Sequence, residues 1–299
     1  MKCRHCETLL SHIFVDLGSS PPSNSYLTGK TIKKVEKWYP LKTFVCENCW
    51  LVQTEDFVGA EEMFSEDYAY FSSFSKSWLE HAKAYMDAMT SRFKLTSQSN
   101  VVEVAANDGY LLQFAQTHKI PCYGIEPTHS TAMAAKQKGI DIVEDFFGVD
   151  LANDLKTQGR QADLMIANNV LAHVPNINDF VRGFSILLNE KGVATFEFPH
   201  LLNLVNKKQF DTIYHEHYSY LSLVSVKSIF ETNGLDIFDV EELPTHGGSV
   251  RIYAQRSDIK NYVVSDSVGD IYEKEVKHKV NTLDFYKDFQ RKSEDIKFW

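Results

Sequence analysis

The chain has 299 residues, of which 43% are hydrophobic and 24% are charged, and its net charge at neutral pH is −9. This length allows one large domain and one small one, while the acidic balance argues against a nucleic-acid partner. No apolar run is long enough to span a bilayer and the N-terminus carries no secretory signal, so no membrane partner is expected and the predicted location is cytoplasmic.

Residues 1 to 60 contain four of the five cysteines as two Cys-x-x-Cys pairs, whereas Cys122 stands alone. In a reducing compartment such pairs are more often metal ligands than disulfides, which remain the alternative. Four thiolates complete a closed tetrahedral shell around Zn²⁺ and leave no position for water. The sequence therefore predicts a small domain held by a structural zinc ion, without His5 as a ligand. The predicted ligands are Cys3, Cys6, Cys46 and Cys49.

Residues 61 to 98 are predicted to form a helical linker, because apolar side chains recur at helical spacing between Ser77 and Phe93. Residues 99 to 256 then alternate between short apolar runs and helical segments. This alternation predicts an α/β domain with a mostly parallel sheet that is covered on both faces. The predicted strands are Val101–Ala105, Cys122–Glu126, Ile140–Glu144, Asp163–Ala167, Val193–Phe198, Leu235–Glu241 and Ser249–Gln255.

Residues 257 to 299 form the last region, where a charged amphipathic helix is predicted from about residue 268 to residue 299. Its apolar stripe requires a cover, so we expect the helix either to fold back onto the domain or to meet a partner. The stripe consists of Tyr272, Val276, Val280, Leu283 and Tyr286.

The first predicted strand leads into a turn of small and polar residues, Ala106-Asn107-Asp108-Gly109, and then into a helix. A strand, a turn and a helix N-terminus form a ligand seat at the carboxyl edge of a parallel sheet. The turn has a single glycine, so the dinucleotide fingerprint is absent. The nearby acids Glu103 and Asp108 suit a cationic or hydroxyl-rich ligand better than a pyrophosphate. Glu126, at the tip of the second strand, can accept both hydroxyls of a ribose.

Two polar segments follow the fourth and fifth strands, Asn168–Pro175 and Tyr214–Tyr220. The position of His173 at the ligand edge of the sheet favours a functional role over that of a surface histidine. The second segment has no HExxH pattern, which argues against a metalloprotease. A metal site on His215 and His217 and a packed aromatic loop remain alternatives. The favoured interpretation is a histidine base beside a supporting acid.

Together these features resemble the class I methyltransferases, which implies a Rossmann-like seven-stranded sheet and S-adenosyl-L-methionine as cofactor. In that family the first loop holds the amino-acid part of the cofactor, the acid of the second strand holds the ribose, and the segment after the third strand contacts the adenine. Packing in the core is the alternative for Phe146 and Phe147. The implied cofactor-binding residues are Glu103, Asn107, Asp108, Gly109, Glu126, Asp145, Phe146 and Asn168.

The whole motif order is similar to that of the zinc-containing nucleotide-sugar C-methyltransferases of deoxysugar biosynthesis. These enzymes methylate the carbon beside the ketone of a dTDP-linked 4-keto-6-deoxysugar, through an enolate. The motifs that carry the resemblance are the two Cys-x-x-Cys pairs, DYAYFSSFS (Asp67 to Ser75), VVEVAANDGYLL, GIEP, NNVLAHVP, FEFPHL, YHEHYSYLS and LPTHGGSVR (Leu243 to Arg251).

The resemblance implies a base that removes the α proton and donors that stabilise the enolate oxygen. Matched by motif, His217 is the base and Glu216 supports it. Tyr214 and His173 position the sugar or stabilise the enolate, and Tyr70 reaches the site from the N-terminal side, with a packed linker aromatic as its alternative.

The nucleotide-sugar substrate is the partner that the resemblance implies. His246 and the pair Gly247-Gly248 approach its nucleotide or form a simple hairpin turn. Family members usually continue into a second α/β domain, so residues 257–299 are expected to begin a domain that the chain lacks, and that domain or a partner is expected to cover the last helix. An O- or N-methyltransferase and a non-catalytic zinc-ribbon binding module are the competing functions.

Overall fold

The computed structural model describes residues 1–24, 26–57, 59 and 70–297. Part of the predicted linker, residues 61–69, lies outside the described residues, and so does the start of DYAYFSSFS. Among the described helices, none combines the length and the apolar composition that crossing a bilayer requires.

The described residues form eleven strands and nine α-helices. The strands are β1 (His12–Ser20), β2 (Tyr39–Val45), β3 (Val52–Thr54), β4 (Val101–Val104), β5 (Cys122–Ile125), β6 (Asp141–Val143), β7 (Ala162–Asn168), β8 (Leu188–Pro199), β9 (Ser219–Tyr220), β10 (Leu235–Leu243) and β11 (Ser249–Arg256). The helices are α1 (Lys76–Phe93), α2 (Leu112–Thr117), α3 (His129–Gln137), α4 (Val149–Thr157), α5 (Ile177–Leu187), α6 (Leu201–Lys207), α7 (Leu223–Thr232), α8 (Asp266–Lys277) and α9 (Phe289–Lys297).

Seven of these strands form the central sheet, in the order β10-β11-β8-β7-β4-β5-β6. All neighbours from β8 to β6 pair in parallel, whereas β11 is antiparallel to both β8 and β10. Each predicted strand is present, and the predicted seven-stranded α/β sheet is confirmed. The sheet buries both faces, as the near-continuous burial of β4 and β7 shows, which explains their apolar sequences.

Helix α7 shows how local sequence sets the ends of an element. The Ser222 hydroxyl accepts a hydrogen bond from the Ser225 backbone N–H at 3.2 Å, and the Ser225 side chain accepts from the Ser222 N–H in return. Gly234, one residue beyond the C-cap, has a φ of 83°. This capping pattern fixes the start of the helix and lets the chain turn directly into β10.

The N-terminal region forms a second sheet with the order β1-β2-β3-β9, antiparallel throughout. Strands β1 to β3 lie in the cysteine-containing region. Strand β9 comes from the YHEHYSYLS segment, more than 160 residues later in the chain. The two sheets are therefore joined through this segment.

The C-terminal region differs from the single helix predicted for it. Helix α8 ends at Lys277, Lys279 adopts a left-handed φ of 64°, and the chain resumes as α9. The break directs Tyr286 and Phe289 onto Phe14 of β1, with ring centroids 5.8 and 4.5 Å away. Much of the apolar stripe is thus covered by the chain itself.

A buried carboxylate of α8 is hydrogen-bonded to the central domain. Glu275 is fully buried and accepts hydrogen bonds from the backbone N–H groups of Leu223 and Val224, at 2.6 and 2.8 Å, at the start of α7. His200 donates to the same carboxylate at 2.6 Å. Tyr272 and Val276, on the remaining part of the stripe, stay partly exposed. Of the two expected covers, folding back onto the domain therefore buries most of the apolar stripe.

Candidate active site and zinc site

The four predicted cysteine ligands converge at one point. Their sulfur atoms all lie within 4.8 Å of one another, with the Cys3–Cys49 and Cys6–Cys46 pairs at 3.5 Å. Tetrahedral zinc with Zn–S bonds of about 2.3 Å spaces its sulfur ligands about 3.8 Å apart, so the cluster fits this ion. Left-handed residues, Glu7 and Trp50, close the turn after each pair.

His5 is not part of this cluster. Its ring nitrogens contact the Asn178 Oδ1 atom at 2.8 Å and the Ser228 hydroxyl at 3.1 Å, both outside the zinc domain. Cys122 lies on β5 in the other sheet. Among the described residues, the four cysteines form the single group of three or more potential metal ligands whose ligand atoms lie close enough to share an ion. The alternative metal site on His215 and His217 is therefore not supported.

A cavity of about 920 Å³ opens at the carboxyl edge of the central sheet, where ligands bind in folds of this class. Its lining contains all five predicted catalytic residues and five of the eight predicted cofactor residues. The catalytic residues are Tyr70, His173, Tyr214, Glu216 and His217, and the cofactor residues are Asn107, Glu126, Asp145, Phe146 and Asn168.

Glu103, Asp108 and Gly109 do not line the cavity, contrary to prediction. Glu103 is buried within β4 and pairs with Tyr110, which itself lines the cavity. The Asp108 carboxylate faces away and binds the Lys138 ammonium at 3.2 Å. Gly109 serves the packing of the turn, because a Cβ atom there would lie 2.3 Å from the Ile140 side chain.

Asn107 lines the cavity, but its side chain already has partners within the protein. Its side-chain amide is committed to the segment before α1, accepting from the Ser72 N–H at 2.9 Å and donating to the Tyr70 carbonyl at 3.1 Å. The backbone of Asn107 is in the left-handed region, with φ at 49°. Asn107 thus ties the cofactor loop to Tyr70, which is half exposed at the rim of the cavity.

Glu126 lies at the tip of β5 with both carboxylate oxygens oriented by the backbone. The Asn107 and Thr128 N–H groups donate to them at 2.8 and 2.9 Å. Burial raises the pKa of Glu126, while these hydrogen bonds oppose the shift. The Thr128 and Thr131 side chains also contact this carboxylate, and Glu126 lines the cavity, where a ligand can reach it.

The two aromatic residues after β6, Phe146 and Phe147, lie in different surroundings. Phe147 packs edge-on against Phe180 and Phe184, with ring centroids 5.7 and 5.3 Å away, as expected of a core side chain. Phe146 is 45% exposed at the wall of the cavity. Asn168 also lines the cavity, and both polar atoms of its buried side chain have no partner among the described residues.

The ring of His217 is held in one tautomer. Its Nδ1–H donates to the Thr212 carbonyl at 2.8 Å, which leaves Nε2 with its lone pair. That lone pair accepts from the Tyr214 hydroxyl at 2.9 Å. The His173 ring stands edge-on to His217, with centroids 4.6 Å apart. A neutral histidine with an oriented lone pair inside a cavity is equipped to accept a proton.

Glu216 does not support His217 as predicted. Its carboxylate accepts from the Asn24 side-chain amide at 2.8 Å on each oxygen, while Thr212 and Tyr214 hold the histidine ring. Residues 215 and 216 form a turn, closed by the His217 N–H donating to the Tyr214 carbonyl at 3.0 Å, and this turn separates the two side chains. Glu216 instead presents a second titratable group to the cavity, and burial raises its pKa.

The electrostatics of the cavity favour a cation. Five carboxylates line it, and no lysine or arginine of the described chain does. Burial lowers the pKa of His173 to about 4. Burial and the nearby His173 lower the pKa of His217 well below its usual value. Both histidines are therefore neutral near pH 7. The five carboxylates are Glu126, Asp145, Asp179, Asp211 and Glu216.

Sequence reasoning missed several residues of the site, among them Asn24, Thr212 and Trp78. Asn24 comes from the zinc domain and Thr212 contributes a backbone carbonyl, so neither carries a local signal. Trp78 belongs to the apolar helical pattern between Ser77 and Phe93, yet it lines the cavity and its ring lies 5.2 Å from that of His246. His246 itself lines the cavity with a left-handed φ of 50°.

Comparison with known proteins gives three family matches in chain order. A zinc binding domain of methyltransferases matches residues 3–64, a methyltransferase domain matches residues 78–240, and a C-methyltransferase C-terminal domain matches residues 244–298. The C-methyltransferase NovU of Streptomyces niveus is 29% identical over 283 residues, which is 95% of this chain and 67% of that protein.

Solved structures of similar fold include the magnesium protoporphyrin IX methyltransferase of Synechocystis PCC 6803 with bound SAH. It is 18% identical, with a TM-score of 0.47 over 60% of this chain and 83% of that one. The PH0226 protein of Pyrococcus horikoshii OT3 is 10% identical, with a TM-score of 0.49 over 62% and 94%. Since the methyltransferase domain match spans more than half of the sequence, the chain belongs to that family and is an S-adenosyl-L-methionine-dependent C-methyltransferase with a zinc-binding domain.

Proposed function

We propose that the enzyme methylates the carbon next to the ketone of a dTDP-linked keto-deoxysugar, as a step of deoxysugar biosynthesis, and that His217 is its base. The observation that carries the proposal is the neutral, oriented Nε2 atom of His217 within the same cavity as the cofactor residues. A carbon acceptor needs such a base, because its proton is not acidic enough to leave unaided.

In this mechanism the Nε2 atom of His217 takes the α proton, and the C–H electron pair moves into the enolate. The Tyr214 hydroxyl, which is bonded to Nε2 in the free enzyme at 2.9 Å, turns to donate to the ketone oxygen. Burial raises the pKa of Tyr214, so its proton stays in place as a donor. His173 lies against the His217 ring and limits the positions that the substrate can take. A pre-positioned donor at a developing oxyanion lowers the barrier.

S-adenosyl-L-methionine supplies, when bound, a methyl group on a positively charged sulfur atom. Glu126 would accept hydrogen bonds from its ribose hydroxyls, and Asp145 and Phe146 would contact its adenine. The carboxylate-lined wall stabilises a cationic ligand, and Asn168 offers unpaired polar atoms to it. These features support the assignment of this half of the cavity to the cofactor.

The part of the cavity around His217 and Glu216, where we place the methyl acceptor, suits a hydroxylated ring. It offers hydrogen-bond donors and acceptors of several kinds beside apolar surface. Since no described lysine or arginine lines the cavity, we place the sugar ring, and not the diphosphate, inside it. Glu216 and Asn24 are the proposed contacts of the ring hydroxyls, since both face the cavity.

Solvent exchange tests this function directly. The enzyme is incubated with dTDP-4-keto-6-deoxyglucose in deuterated water without methyl donor, and the sugar is followed by mass spectrometry. We expect deuterium to enter the position α to the ketone, because enolisation does not need the donor. An O- or N-methyltransferase produces no such exchange. Absence of exchange, with cofactor binding intact by calorimetry, would contradict the proposed acceptor.

Replacing Glu126 by glutamine is expected to weaken S-adenosyl-L-methionine binding by roughly 10- to 100-fold. The variant keeps the shape but loses charge-assisted hydrogen bonds to the ribose, each of which contributes about 1.5–3 kcal/mol. Isothermal calorimetry measures the dissociation constant. Glu144→Gln is the matched control, because that exposed carboxylate pairs with Lys136 and His129 beyond β6 and outside the cavity. Equal affinities for S-adenosyl-L-methionine in the two variants would contradict the assignment of Glu126 to the cofactor site.

A further inference from the structure

We propose that Thr54, in the zinc-binding domain, is a positioning residue for His217, and that the zinc domain fixes the catalytic loop through it. The inference rests on the proposed role of His217 as the base. It assigns a part in the reaction to a domain whose metal site lies outside the cavity and takes no part in the chemistry itself.

The zinc domain holds four consecutive residues of the catalytic segment. His215 donates to the Pro40 carbonyl at 3.1 Å, and the Glu216 carboxylate accepts from Asn24. The following two residues, His217 and Tyr218, are both held by a single residue of β3. Each of these partners lies between residues 24 and 54, so the catalytic segment depends on the zinc domain for its conformation.

Thr54 makes the contacts closest to the base. Its hydroxyl donates to the His217 carbonyl at 2.8 Å, and its backbone N–H donates to the Tyr218 carbonyl at 3.0 Å. Thr54 is 1% exposed, so no water can replace these bonds without a change in packing. Directly beyond them, β9 pairs with β3, with Tyr220 opposite Val52 and Ser219 opposite Gln53.

Gln53, the neighbour of Thr54, connects the strand to the cysteine cluster. Its buried amide donates to the Cys3 sulfur at 3.2 Å and accepts from the Arg4 backbone N–H at 2.9 Å. Strand β3 also follows the second cysteine pair by only two residues. Two adjacent residues of one strand thus link the zinc ligands to the backbone of His217.

The reaction rate depends strongly on the position of the base, since misplacing it by about 1 Å can lower the rate by about 100-fold. The ring of His217 is set by two bonds within its own loop, to Thr212 and Tyr214. Those bonds orient the ring within the loop, whereas Thr54 locates the loop within the cavity. Loss of the Thr54 hydroxyl is therefore expected to lower the proton-transfer rate without weakening cofactor binding.

The test compares Thr54→Val with Thr54→Ser. Valine matches the shape of threonine and suits a strand but cannot donate to the His217 carbonyl, whereas serine retains the donor. We expect α-deuterium exchange to fall by about 10- to 100-fold in Thr54→Val and to recover to within about threefold of wild type in Thr54→Ser. The dissociation constant of S-adenosyl-L-methionine and the zinc content should not change. If Thr54→Val fails to fold, Thr54→Ala replaces it with the same expectation.

A second readout separates this inference from the proposed function. In protein labelled with ¹⁵N-histidine, the His217 ring signals are assigned by their loss in His217→Gln and report its tautomer and surroundings. We expect them to shift or broaden in Thr54→Val but not in Thr54→Ser. If the wild-type enzyme showed no α-deuterium exchange, the proposed role of His217 as base would be contradicted. The His217 ring signals of the Thr54 variants would still show whether Thr54 positions this residue. Unchanged ring signals and an unchanged rate in Thr54→Val would overturn the inference.

Discussion

Replacing His217 with glutamine is expected to reduce α-proton exchange and methylation by about 10²–10⁴-fold, the range that a positioned general base contributes. Glutamine approximates the size of histidine and can still donate to the Thr212 carbonyl, but it offers no basic nitrogen at the position of Nε2. The rate of deuterium incorporation, measured at saturating sugar, reports this step alone. S-adenosyl-L-methionine should bind the variant with unchanged affinity.

His215→Gln is the control for the loss of a histidine from the same segment. His215 is buried and donates to the Pro40 carbonyl, a bond that glutamine can reproduce, and it does not line the cavity. We expect exchange within a few-fold of wild type in this variant. Exchange lost equally in both variants would indicate a general disturbance of the segment, and exchange retained in His217→Gln would assign the base elsewhere, first to Glu216.

The same base determines the acid limb of the pH profile. A base acts only when unprotonated, and burial together with His173 holds the pKa of His217 well below the ordinary 6.5. The exchange rate is therefore expected to stay level as the pH falls through 6.5 and to decline only at lower pH. A decline centred at pH 6.5 would indicate an unperturbed histidine and would contradict the lowered pKa of His217.

Replacing Cys46 with serine is expected to abolish stoichiometric zinc binding and to destabilise residues 1–57. A structural zinc ion contributes about 10–16 kcal/mol of binding free energy in small domains, and a serine hydroxyl is a poor replacement for a thiolate ligand. The measurements are metal content by mass spectrometry and the susceptibility of the N-terminal region to protease. Exchange activity should be lost as well, since β3 and β9 share a sheet.

Cys122→Ser is the matched control for this prediction. Cys122 lies on β5, outside the cluster, so its variant should keep one zinc ion per chain and wild-type exchange. In Cys46→Ser, binding of S-adenosyl-L-methionine should persist, because the proposed cofactor residues Glu126, Asp145 and Asn168 lie at the edge of the other sheet. One zinc ion per chain in Cys46→Ser would contradict the four-cysteine site.

Much of the fold was predictable because it is encoded locally. Alternating apolar runs and helical segments predict each of the seven strands of the central sheet, although β8 begins at Leu188, before the predicted Val193. The two Cys-x-x-Cys pairs indicate a four-thiolate metal site by residue type and spacing alone, and the four cysteines do converge. Such signals depend on side-chain type and spacing over a few residues, and tertiary packing seldom overrides them when they are strong.

Most of the residues predicted for the site line one cavity, but several of their side chains have partners other than those expected. The carboxyl edge of a parallel sheet gathers the ends of separated strands, so placing Glu126, Asn168 and His217 together follows from topology. Direction does not follow from topology. The Asp108 carboxylate binds the Lys138 ammonium and the Asn107 amide binds the Tyr70 carbonyl, because these groups lie within hydrogen-bonding distance in the folded chain.

By itself, the sequence determined the α/β class and the cysteine cluster and pointed to the segment that we propose carries the base, because these depend on periodicity and on residue spacing within short stretches of chain. Only the tertiary structure decided that Asn24 binds Glu216 and that Thr54 holds His217, across separations of 192 and 163 residues. No local pattern predicts such pairs. They exist because β9 completes the sheet of the zinc domain, and the burial of that shared edge brings remote polar groups within hydrogen-bonding distance.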